Sequence, residues 1–113
     1  MSFTDVDHLQ AAEAALAVGN SVLPIFEKAE PDDARPRDAL KALNLWMRRE
    51  ASVTEVRAAA FAAHDAARET TNLAARYAAR ACGQAAAVAH VIHHAPHASR
   101  YAAKAVEANR EGA

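Results

Sequence analysis

Glycine and proline together supply only seven of the 113 residues, and the three glycines do not cluster. That excludes a glycine-rich loop of the kind that cradles phosphates. Cysteine occurs once, at Cys82, so an intramolecular disulfide is excluded and a reducing cytoplasm is the natural compartment. Neither sign of charge dominates: 13 basic against 14 acidic residues leave a net charge of −1. A dedicated nucleic-acid binder carries a strong basic excess, so that class is disfavoured. The longest stretch without Asp, Glu, Lys or Arg, Ala81 to Ser99, is interrupted by Gln84, four histidines and Pro96, and does not read as a membrane span. Asp5 and Asp7 stand where a signal peptide would carry basic residues.

What is present in quantity is alanine, 33 residues of 113. Alanine loses no side-chain entropy in a helix and is the best helix former. Its small side chain also lets helix axes approach closely. The expectation is one all-α domain over 1–113, a bundle of five or six helices around a central helix near residues 72–95. That stretch is apolar on most of its circumference, as a helix buried by its neighbours should be.

The punctuation places the other helices. Thr4 with Asp5 and Asp7 suits a helix start. Gly19-Asn20 reads as a stop followed by a second piece from Val22, or else one helix runs on through Pro24; both remain open. Glu30 to Arg37 is a loop, and Pro36 begins a helix to about Glu50. Ser52-Val53-Thr54-Glu55 has the form of a capping box, and that helix ends near Thr70. Asn72 or Thr71 caps the central helix, and Pro96 opens a last helix to about Asn109.

Six histidines invite a search for chemistry. His90 and His94 share a helix face at metal-ligand spacing, and His64 could add a third ligand, but no Asp or Glu lies between Glu69 and Glu107 to complete the set. His64-Asp65 resembles the pair of metal-dependent phosphohydrolases, yet Asp65 is the last aspartate and the pattern needs a later one. No glutamate has a histidine three residues on, which excludes a paired di-iron motif. Cys82 has no cation near it in its own helix, and an alanine-flanked thiol is usually inert packing. No metal, cofactor or catalytic group is therefore expected. The candidate polar cluster is Arg35, Arg37, His64, Arg68, Gln84, His90 and His94, with His64, Gln84 and His90 in one semi-buried network and Arg35 or Arg37 at its mouth. Polar groups taken out of water need such partners. The arginines of the middle third are either a solvated surface with local ion pairs or an acid-recognising patch.

Several segments stand out together: Val22-Leu23-Pro24-Ile25-Phe26-Glu27, Asp33-Ala34-Arg35-Pro36-Arg37, Trp46, and Arg57-Ala58-Ala59-Ala60-Phe61-Ala62-Ala63-His64 with Arg68. They continue through Ala79-Arg80-Ala81-Cys82-Gly83-Gln84-Ala85, Ala89-His90-Val91, His94-Ala95 and Tyr101-Ala102-Ala103-Lys104-Ala105-Val106. In this order they resemble, over nearly the whole chain, a family of small, all-helical bacterial proteins assigned an immunity role in polymorphic toxin systems (immunity-protein-five-like). The resemblance implies a cytoplasmic protein that binds and neutralises a cognate toxin without catalysis, membrane or nucleic acid. The alternative is a helical domain that binds a small ligand or metal through its His/Gln/Arg cluster. An alanine-rich helix face would suit a homo-oligomer and an intramolecular core equally.

The incomplete ligand set makes a direct prediction. Dialysed protein titrated with zinc should show no stoichiometric binding and no large thermal shift. A tight one-to-one complex lost in a His90→Ala, His94→Ala variant would contradict it.

Overall fold

The computed structural model describes residues 3–112, and side chains from 6 to 112; the expected cap Thr4 and the first-turn Asp5 lie outside the described side chains. Five α-helices follow one another: α1 (Phe3–Ala29), α2 (Arg35–Met47), α3 (Val53–Glu69), α4 (Leu73–Ala87) and α5 (Ala95–Glu111), with a 3₁₀ turn (Ile92–His94) before the last. No strand occurs among the described residues. The architecture is all-α, as composition led one to expect.

The central helix is α4. It buries nine residues, seven alanines with Cys82 and Gly83, and none is larger than cysteine. Small side chains on the contact face let neighbouring axes come close. Four helices use that freedom: α1, α2, α3 and α5 all pack on α4. Around it α3 touches α2, α2 touches α1 and α1 touches α5, but α3 meets neither α1 nor α5. The ring of neighbours is thus open between α5 and α3. Of the unburied residues of α4, Leu73, Tyr77, Arg80, Gln84 and Ala87 recur at helical spacing and form the stripe that faces this opening, while exposed Arg76 turns to the end of α3 and donates to the Ala67 and Thr70 carbonyls.

Local signals set most boundaries. Ser52 Oγ accepts from the Glu55 amide at 3.1 Å while Glu55 Oε1 accepts from the Ser52 amide, completing the capping box. Asn72 Oδ1 accepts from the Ala75 amide at 2.9 Å and starts α4. The end of α2 is less expected. Arg49 adopts φ 64°, and the Glu50 amide donates back to the Leu45 carbonyl. This is the left-handed cap normally given to glycine.

Two points depend on distant contacts. α1 is one helix through Pro24, which settles the alternative left open above. Asn20, whose carbonyl loses its donor, lies with Pro24 on the exposed side, where water reaches it. And α4 ends at Ala87, eight residues before Ala95. There His8 of α1 takes the Val88 carbonyl through Nε2, and its ring lies 5.0 Å from that of Trp46. A continuing helix would have paired that carbonyl with the Ile92 amide.

By length and hydropathy Val6–Ala29 could cross a bilayer. Its exposed stripe carries Gln10, Glu13, Asn20, Ser21 and Lys28, a polar face unlike that of a lipid-exposed helix.

Gly83 sits where α3 crosses α4, and a methyl there would lie 2.7 Å from His64 Nε2. Gly83→Leu should therefore destabilise by about 1–3 kcal/mol or more through overpacking, read by urea denaturation. Gly83→Ala tests the cause. With His64→Ala already present it should gain about 1 kcal/mol from helix propensity, and in the native background it should lose that gain. Equal effects in both backgrounds would show that the imidazole is not what keeps glycine there.

Candidate functional site

At one end of the opening, α3, α4 and the 3₁₀ turn enclose a cleft of about 320 Å³ lined by Arg57, Ala60, Phe61, His64, Gln84, Ala87, His90 and His94. Two other grooves, of about 430 and 470 Å³, gather no ionisable group beyond Lys28 in one and Arg37 and Lys41 in the other. Of the three, the cleft is the one that gathers imidazoles beside a guanidinium and an amide.

Its geometry follows from helical spacing. Arg57, Phe61, His64 and Arg68 succeed one another along the flank of α3, while Arg80, Gln84 and Ala87 do so along α4. Arg80 Nη1 donates to His64 Nδ1 at 3.0 Å. A guanidinium can only donate, so Nδ1 carries no proton and His64 is the neutral Nε2–H tautomer. Burial, and then the positive charge of Arg80, push its pKa down to about 4. Across the cleft Gln84 Oε1 lies 2.7 Å from His94 Nδ1, which must be the donor to an amide oxygen. Burial, reinforced by the neighbouring histidines, lowers the His94 pKa as well.

Of the sequence-based candidates, His64, Gln84, His90 and His94 do line one cleft, although His90 is exposed and His64 and Gln84 hydrogen-bond to different partners. Arg68 stands one turn from His64 and is paired with Asp65. Arg35 and Arg37 do not reach the cleft. Arg35 is held by Asp33 and by both oxygens of Glu69, and Arg37 by both oxygens of Glu27. Carboxylates close in space on α1 and α3 satisfied these donors first. The cation at the imidazole is Arg80, and the one at the mouth is Arg57, over the ring of Phe61 at 5.5 Å. Arg80 was legible: it lies four residues before Gln84, on the same helix face.

Chemically, the cleft offers hydrogen-bond donors and acceptors. The cleft holds no carboxylate, its deepest imidazole is neutral and already engaged, and no group of three or more metal-ligating side chains converges among the described residues. The Cys82 thiol is buried, pushed up to about 12 by desolvation, and donates to the Gly19 carbonyl at 3.8 Å. At neutral pH it is not a nucleophile.

The chain belongs to the Imm-5 like putative immunity protein family, whose model matches residues 1–113. No curated protein and no solved structure gives a match to the chain.

The depressed pKa of His64 has a signed consequence. The unfolded chain takes up this proton near pH 6.5 and the native state only near pH 4. The stability from keeping His64 neutral is thus present above pH 6.5 and lost as pH falls toward 4. His64→Gln, which can still accept from Arg80, should lose less stability than wild type over that window in parallel thermal melts. Identical pH slopes would show that His64 does not carry the effect.

Proposed function

We propose that this protein is a cytoplasmic immunity protein that neutralises a cognate toxin by binding it, without catalysis. The observation that carries the proposal is the family match over the full length of the chain. The geometry supports it, because a neutraliser needs a stable scaffold and one complementary surface, with affinity concentrated in a few Trp, Tyr or Arg anchors. The cleft supplies hydrogen-bonding groups without reactive ones, which fits recognition. A small-ligand role for the same cleft is the second reading, favoured by its convergent Gln84, His64 and His94.

Co-expression with the product of the neighbouring reading frame separates them. The two chains should co-purify as a defined complex, and cells carrying both should survive where the toxin alone kills. A toxin that stays lethal and unbound would end this reading.

A further inference from the structure

The opening between α3 and α5 continues past the cleft along α4, and along it cations meet aromatic rings. Tyr77 of α4 stacks with Tyr101 of α5 at a centroid distance of 6.3 Å. Lys104 lies over both rings, at 5.6 and 5.9 Å, and Arg100 over Tyr101 at 5.4 Å. With Arg57 over Phe61, every cation–π contact among the described residues falls on this strip. Arg57, Arg100 and Lys104 have no carboxylate partner among the described residues, and Arg80 has only neutral His64. On the far side Arg35 and Arg37 are neutralised by ion pairs.

Of the chain's 13 basic and 14 acidic residues, five basic (Arg57, Arg68, Arg80, Arg100, Lys104) and one acidic (Asp65) stand on this strip. Eight basic and thirteen acidic residues remain elsewhere, with Glu107 and Glu111 just beyond Lys104 on α5. A nearly neutral protein has therefore kept one face cationic, and of its five cations only Arg68 is ion-paired among the described residues.

We propose that this strip is the surface on which the cognate toxin docks, and that it takes an acidic patch of the toxin. Carboxylates of that patch meet Arg57, Arg100 and Lys104, and its apolar atoms cover Tyr77, Tyr101 and Phe61. The proposal rests on the toxin-binding reading above. Tyrosine and arginine are the residue types that dominate binding energy at protein interfaces. Cations already seated on aromatic rings are held in place without losing their charge, so a carboxylate adds to them instead of displacing a partner. The acidic remainder of the surface would repel a long polyanion, which favours a local acidic patch over a nucleic acid.

The test uses the full chain and the toxin encoded beside it, by calorimetry and stopped-flow mixing. The double variant Arg100→Glu, Lys104→Glu and the single variant Arg57→Glu change exposed side chains, and melting curves check that each is folded. The double variant should bind about 100-fold more weakly or worse, and Arg57→Glu about tenfold. Lys41→Glu, exposed on α2, should bind as wild type. Raising salt from about 0.05 to 0.5 M should slow wild-type association and leave the double variant little changed.

Wild-type affinity in the double variant, or a loss with Lys41→Glu instead, overturns this surface while leaving the toxin reading intact. A wild-type protein that does not bind the toxin overturns both. Tight binding of single-stranded oligo(dT), lost in the same variants, would assign the strip to nucleic acid and overturn the proposal too.

Discussion

The structure depends on α4 burying nothing larger than a cysteine. A helix with leucines at those positions would hold its neighbours about a side chain away, whereas a surface of methyl groups lets them close in. The interior is correspondingly thin, in a molecule 46 × 23 × 16 Å along its principal axes. Few large side chains are fully buried: Val22, Phe26, Leu43 and Val56 come from three helices and Val88 from the turn after α4, and they fill the corners that alanine leaves. The same smallness fixes His64. Its ring occupies the space that a side chain at position 83 would otherwise take.

Two kinds of electrostatic arrangement coexist. Around the loop before α2, Arg35 and Arg37 draw Asp33, Glu69 and Glu27 into ion pairs, and hydrogen bonds from the guanidinium groups hold all three carboxyls below their usual range. These pairs are largely exposed, so each contributes little to stability and serves mainly to fix where α2 begins. On the open strip Arg57, Arg100 and Lys104 rest on π faces and Arg80 on a neutral imidazole. The first arrangement closes a surface, and the second leaves charge available to something outside the chain.

Binding places different demands on a side chain than catalysis does. A catalytic base is useful when its pKa lies near the working pH and its lone pair is free. His64 meets neither condition, being lowered to about 4 with Nδ1 engaged by Arg80. What it does is hold Arg80 in one orientation beside Gly83. A rigid side chain held by packing and hydrogen bonds loses less freedom on association, which is how a binding surface is pre-organised.

Local chemistry determined much that is true of this protein. Alanine content set the helical class, Ser52-Val53-Thr54-Glu55 and Asn72 placed two helix starts, and the loop expected over Glu30 to Arg37 was legible from Pro31, Asp32 and Asp33, although α2 already begins at Arg35. Each signal acts within a turn or so of backbone, where neighbours in sequence are neighbours in space. Tertiary packing decided the rest: the continuity of α1 through Pro24, the end of α4 at Ala87, the exposure of His90, and the choice of Arg80 over Arg35 and Arg37 as the partner of His64. Those outcomes depend on groups far apart in the chain, such as His8 reaching Val88 and Glu69 reaching Arg35. A donor takes whichever acceptor the packed helices bring nearest, and only the assembled ring around α4 says which that is.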